Sequence, residues 1–193
     1  MHLSQIASQN PNKPAYIMAG SGQTVTYEGL EAGSNQLAQL FRSLGLMRGD
    51  HIAILLENHA LFLQICVAAQ RAGIYYTAIS YRLQSDEVEY IVNDCGARVF
   101  ITSIDRRAVV EPLIGRLENL DQFFMLDGVI AGFESLEAAM SNQSTQMIED
   151  ESISTSMLYS SGTTGRPKGV YRQLPEGVWG EEDAGAMFRA LYQ

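Results

Sequence analysis

Residues 51–79 read HIAILLENHALFLQICVAAQRAGIYYTAI: an unbroken apolar run, an amphipathic one, then a second apolar run. After His51, residues 52–56 carry no polar side chain, the pattern of a strand buried on both faces of a sheet. From about residue 59 to 72 the apolar spacing is helical, and Gly73 stands where a helix commonly stops. Residues 74–79 predict the next strand. A strand, a helix and a strand in this order make a parallel pair joined by a right-handed crossover.

The alternation continues in both directions. Residues 15–18 predict a strand, and residues 25–27 a short extended piece whose Thr26 caps the following helix. That helix puts Leu30, Leu37, Leu40, Phe41 and Leu44 on one stripe and ends at Gly45. Downstream, Ser85 followed by Asp86 and Glu87 predicts a capped helix start, and Gly96 its stop. Strands at 98–102 and 123–126 flank a helix from about 106 to 117, with Pro112 an irregularity inside it. A short helix at 133–140, a polar loop at 141–152 and a strand at 153–159 follow. Residues 169–171 offer a short closing strand, and 184–191 a weak helix. The fold class is α/β, a mostly parallel sheet with helices on both faces. Ligands of such sheets bind beyond the carboxyl ends of the strands, and the loop after Tyr159 occupies such an end.

The chain has 193 residues, 46% of them apolar and 18% charged, which suits one globular domain of ordinary size. Acidic residues outnumber basic ones 22 to 13, giving a net charge of −9. That surface repels phosphate backbones and anionic lipid, so nucleic acid and membrane-surface partners are not expected. Cys66 and Cys95 lack the spacing of a ligand pair and are read as buried free thiols. His2, His51 and His59 share no metal spacing. The first residues lack a basic segment followed by an apolar core, and the most apolar stretch, 60–69, is too short to cross a bilayer. The expected location is cytoplasmic.

Only two lysines occur, Lys13 and Lys168, and the second lies in the segment of most chemical interest. Residues 159–170 read Tyr-Ser-Ser-Gly-Thr-Thr-Gly-Arg-Pro-Lys-Gly-Val. Gly162, Gly165 and Gly169 leave backbone amides free to face a ligand. Ser160, Ser161, Thr163 and Thr164 add hydroxyl donors. Arg166, Lys168 and Arg172 add three cations, with no acid between Ser152 and Leu174. Amides, hydroxyls and cations on one loop are what a polyphosphate requires. The same residue types also compose a solvated hinge. The order GxxxxGK[ST] is absent, as is GxGxxG, so neither a P-loop nucleotidase nor a dinucleotide fold is indicated.

Residues 160–169 match, at every defined position, the phosphate loop Ser-Ser-Gly-Thr-Thr-Gly-x-Pro-Lys-Gly of the adenylate-forming (AMP-binding) superfamily, which includes acyl-CoA synthetases, luciferases and peptide-synthetase adenylation domains. Upstream, Thr26-Tyr27-Glu28-Gly29-Leu30 resembles that family's early helix entry, and residues 49–58 resemble its GDxVAILLxN strand. Residues 69–80 and 83–95 resemble further segments. Within the superfamily the chain looks most like bacterial fatty-acyl-CoA synthetases.

The resemblance implies a two-step reaction. A carboxylate attacks the α-phosphate of ATP, expelling pyrophosphate, and the thiol of coenzyme A then attacks the acyl-adenylate. It implies that Ser160, Ser161, Gly162, Thr163, Thr164, Gly165, Lys168 and Gly169 hold the β- and γ-phosphates, with magnesium neutralising oxygens. Thr163 and Thr164 would donate to the phosphates, and Lys168 would add a point charge. The implied small molecules are ATP, coenzyme A and a carboxylic acid, with a fatty acid the leading candidate. The sequence departs from the family as well. None of its tyrosines precedes a glycine, so the adenine-stacking Tyr-Gly-x-Thr-Glu segment is missing, and so is the C-terminal catalytic lysine. The chain therefore resembles an N-terminal fragment: residues 1–173 as part of an AMP-binding domain and 174–193 as a truncated tail. Two alternatives stand beside the ligase, namely a non-catalytic nucleotide-binding domain and an adenylating enzyme for another acid or acceptor.

Overall fold

A computed structural model describes residues 2–160 and 166–180. The chain opens with α1 (Leu3–Gln9) and an antiparallel pair, β1 (Pro14–Ile17) and β2 (Thr24–Thr26). The Thr26 hydroxyl accepts from the Gly29 amide at 3.1 Å and caps α2 (Tyr27–Ser43), which closes at Gly45 in a left-handed conformation, φ 75°. Then come β3 (His51–Leu55), α3 (Phe62–Arg71), β4 (Tyr75–Ile79), α4 (Ser85–Asp94), β5 (Val99–Ser103), the single turn α5 (Arg107–Val110), β6 (Gln122–Leu126), β7 (Glu134–Ser135) and α6 (Leu136–Ser141). Strands β3 to β7 form one parallel sheet in the order β4-β3-β5-β6-β7.

Alternation along the strands explains the helices on both faces. Ile52, Ile54, Ile101 and Leu126 point to one side, against Leu37 and Phe41 of α2, Ile65 and Ala69 of α3 and Leu136 of α6. Ala53, Leu55, Phe100 and Met125 point to the other, against Val88, Ile91 and Val92 of α4 with Val110 and Leu113. Each such buried aliphatic or aromatic side chain contributes roughly 1.5–3 kcal/mol. A strand covered on both faces needs no polar residue, which is why residues 52–55 contain none. Cys66 and Cys95 are buried free thiols, and burial pushes Cys66 up to about 12. No described helix is long and apolar enough to cross a membrane.

Three local expectations are corrected. The helix expected over 106–117 is a 3-10 turn (Ile104–Arg106), α5, and a second 3-10 turn (Glu111–Leu113). Pro112 has no amide to donate and its ring excludes a continuing helix, so the chain re-nucleates around it. The cap of α4 is Gln84, not Ser85: the Glu87 carboxylate accepts from the Gln84 amide at 2.9 Å in a capping box. The Ser85 hydroxyl instead donates to the Val109 carbonyl at 2.7 Å.

The third concerns the strand expected over 153–159. Residues 152–157 run beside β4 as an arm with isolated parallel bridges, Ser152 to Ala72 and Ser156 to Tyr76. The Met157 amide donates to the Tyr76 carbonyl at 3.0 Å, and the Ser154 hydroxyl to the Ile74 carbonyl at 2.5 Å. Regular pairing begins only at β8 (Leu158–Ser160), which leaves the sheet to pair antiparallel with β9 (Lys168–Val170). The closing strand expected at 169–171 is thus the return leg of a hairpin. Tyr159 stands opposite Gly169, and a Cβ there would collide with the Met157 methyl and crowd the Tyr159 ring at 3.1 Å.

A buried charge cluster fastens the arm. The Arg71 side chain is fully buried at the end of α3; Nη2 donates to Glu31 Oε2 at 2.8 Å, and Nε lies 3.2 Å from Glu151 Oε1. Glu151 also meets His2 Nε2 at 3.0 Å. Trp179 covers the cluster, 4.7 Å from the guanidinium and edge-on to His2. Arg48 donates to the Pro175 carbonyl at 2.7 Å, so residues 174–180 return to the body of the protein. The helix expected at 184–191 lies outside the described residues.

Candidate functional site

The β8–β9 hairpin is the stem of the glycine-rich segment. It sets Ser160 opposite Lys168, with the Ser160 hydroxyl 3.5 Å from the Lys168 carbonyl. Both side chains are exposed, and Lys168 has no ion-pair partner among the described residues. Gly169 lies within the stem, where its missing side chain admits the Tyr159 ring. Ser161, Gly162, Thr163, Thr164 and Gly165 lie outside the described residues. The stem emerges at the carboxyl end of the sheet: a cleft of about 400 Å³ is lined by Ala78, Ile79 and Ser80 from the end of β4, and by Ser160, Arg166 and Pro167.

Spatial neighbours change the charge seen by the stem. In sequence the segment is purely cationic, but α4 brings Asp86, Glu87, Glu89 and Asp94 alongside Arg166 and Pro167. Tyr159 donates to Asp94 Oδ2 at 2.5 Å, and burial together with this bond raises the phenol above its ordinary range. The Arg166 guanidinium lies 5.4 Å from the centre of the Tyr90 ring. Magnesium prefers oxygen ligands, commonly one or two carboxylates beside phosphate. Here Asp94 is engaged by Tyr159, Glu87 by the α4 capping box, and Asp86 and Glu89 by Arg116, so among the described residues the stem offers no unengaged carboxylate pair to such an ion.

A second cleft, about 690 Å³, adjoins the first at Ala78, Ile79 and Ser80. Its apolar wall includes Ile17, Met18, Leu56, Phe62 and Leu63, and its polar side is Glu57, Asn58 and His59. Glu57 accepts from the Ser103 hydroxyl at 2.8 Å, across the boundary between β3 and β5 where the strand order reverses. Open parallel sheets place ligands at that reversal. Residues 49–58 read only as core in the sequence, because the reversal depends on which strands become neighbours. His59 meets Asp127 at 3.1 Å, a partner equally invisible in the linear order.

Residues 3–176 match the family model described as AMP-binding enzyme. The chain belongs to that family. Among curated relatives, this AMP-binding chain is 28% identical over 169 residues to the long-chain-fatty-acid–CoA ligase FadD13 of Mycobacterium tuberculosis, covering 87% of the chain and 33% of the relative. It is 28% identical over 164 residues to the fatty acid–[acyl-carrier-protein] ligase ScoC of Streptomyces coeruleorubidus, covering 85% of the chain and 30% of the relative. The fold superposes on the anthranilate CoA ligase AuaEII, solved with anthranoyl-AMP, with a TM-score of 0.78 and 26% identity, over 87% of the chain and 33% of that structure. The chain thus spans about a third of the length of these relatives.

Proposed function

We propose that the chain carries the phosphate-binding part of an AMP-forming acid–CoA ligase, with a fatty acid as the leading substrate. The observation that supports this most is the hairpin stem, which presents Ser160 and Lys168 at the open, carboxyl end of a parallel sheet in an AMP-binding family member. The proposed contacts to ATP come from Ser160, Ser161, Gly162, Thr163, Thr164, Gly165, Lys168 and Gly169. Loop amides and hydroxyls would hold the β- and γ-phosphates as negative charge moves onto the departing pyrophosphate, and Lys168 would add its charge from the returning strand. Magnesium, when bound, would neutralise phosphate oxygens. Residues 1–173 form the nucleotide-binding part and 174–193 a tail, with a cytoplasmic setting.

Acid and acceptor are less specific. The relatives' names cover fatty acids, an aromatic acid, coenzyme A and an acyl carrier protein, so another acid or acceptor is the second reading. A non-catalytic nucleotide-binding role is favoured for the 193 residues by themselves, because none of the tyrosines precedes a glycine and the only lysines are Lys13 and Lys168. The test separates the half-reactions in a protein that also carries the segments this chain lacks. Lys168→Ala should slow adenylation roughly 10- to 150-fold, the range for one charged hydrogen bond, and spare thioester formation from supplied acyl-adenylate. Equal losses in both steps would mean that the loop is a hinge and not a phosphate clamp.

A further inference from the structure

The two ends of the glycine-rich segment rest on one helix face. Tyr159, before it, hydrogen-bonds Asp94; Arg166, after it, lies over Tyr90. Tyr90 and Asp94 are four residues apart on α4 and so share a face. Asp94 is otherwise badly placed. It is the last residue of α4, where the helix dipole disfavours a carboxylate, and the last turn holds no basic residue to offset it. It also stands beside a segment that collects cations, where its charge opposes the binding of any anion. A carboxylate tolerated against both fields is explained by the bond it makes: a short hydroxyl–carboxylate contact of the charge-assisted kind.

We propose that Asp94 is a positioning residue that, through Tyr159, braces the stem of the phosphate loop, with Tyr90 and Arg166 as the second point of the brace. The proposal rests on the phosphate reading above for its consequence, but not for its geometry. Asp94 never touches the phosphates; it fixes the strand from which Ser160 projects. Raised above its ordinary range, the Tyr159 phenol remains a donor at neutral pH.

Charge and brace predict opposite signs. If Asp94 is only a nearby charge, Asp94→Ala should tighten the binding of an anion, since a repulsive carboxylate is gone. If it braces the stem, the same substitution should weaken binding despite that gain. Two readouts on the 193-residue chain decide. The first is the rate of trypsin cleavage after Lys168, which needs no ligand; the second is the affinity for pyrophosphate by calorimetry. Asp94→Ala and Tyr159→Phe should each speed cleavage and weaken pyrophosphate about 3- to 10-fold, less than the roughly 10- to 150-fold of a charged hydrogen bond made directly to the ligand, because Asp94 is exposed and acts through Tyr159. Combining them should add little, because one bond is lost either way. Asp94→Asn, which keeps an acceptor for the phenol and discards the charge, should return cleavage to near wild type and bind pyrophosphate at least as tightly as wild type.

Unchanged cleavage in Asp94→Ala and Tyr159→Phe overturns the brace, and so does tighter pyrophosphate binding in Asp94→Ala. If Asp94→Ala fails to fold, Tyr159→Phe against Asp94→Asn carries the same comparison. A wild-type chain that ignores pyrophosphate while its cleavage still follows the bond would refute the phosphate reading and leave the brace standing.

Discussion

Replacing Arg71 with alanine should unfasten the arm that leads into the glycine-rich segment. The substitution strips a fully buried cation from between Glu31 and Glu151, whose side chains are only 13% and 10% exposed. Removing one partner of a buried ion pair costs about 3–5 kcal/mol, because the remaining charge stays desolvated. Trp179 loses the guanidinium it covers, a further contribution of about 1 kcal/mol. Against a total stability of roughly 5–15 kcal/mol, that is a large share. A domain of this size loses about 2–4 °C of Tm per kcal/mol, so the midpoint should fall by about 8–24 °C. Urea melts followed by circular dichroism give the loss, and Trp179 supplies a second signal, since it is the only tryptophan and sits on the cluster. Replacing Arg71, Glu31 and Glu151 together with uncharged residues should recover much of the stability, because no unpaired charge is left. A loss below about 1 kcal/mol with unchanged tryptophan emission, the value of an exposed ion pair, would refute the idea that this cluster fastens the arm.

Two other outcomes follow from the same geometry. Burial pushes the Tyr75 phenol up to about 12 and also raises Tyr159, while unfolded tyrosines ionise near 10. Folded tyrosines therefore hold protons that unfolded ones release, so stability should be steady below pH 10 and fall as pH rises from there towards 12; an ultraviolet titration in which all nine tyrosines ionise together before unfolding would contradict this. Leu158, Val170 and Tyr171 are exposed on and beside the hairpin at 53%, 45% and 63%, so the isolated chain should self-associate, and sedimentation as a monomer at high concentration would argue against it.

Much of the sheet was legible because burial writes itself into composition: residues 52–56 and 74–79 had one reading, and Gly45 and Thr26 marked the ends of α2 by local backbone chemistry. The misread elements were those decided by distant partners. Pro112 marks an irregularity in the sequence without fixing how far the helix on either side extends, and Gln84 carries the cap while the Ser85 hydroxyl is engaged by the Val109 carbonyl. Residues 153–159 have the composition of a buried strand, yet the buried Arg71–Glu151 contact and the β8–β9 pairing make them an arm and a hairpin. At the candidate site the order of residues 160–169 was readable, and the proposal of a phosphate ligand rests on it. The carboxylates of α4 were not, because they enter through space from more than sixty residues upstream, as Asp94 does at Tyr159. The cleft beside Glu57 was hidden for the same reason.

The most direct measurement is residue-resolved: amide resonances of the isotopically labelled chain, recorded as pyrophosphate is added. Shifts should concentrate between Ser160 and Gly169, weaken with salt as a charged contact must, and disappear in Gly162→Val, whose side chain blocks approach to the amides. Shifts that gather elsewhere, or that survive unchanged in Gly162→Val, would contradict the assignment of this loop to phosphate.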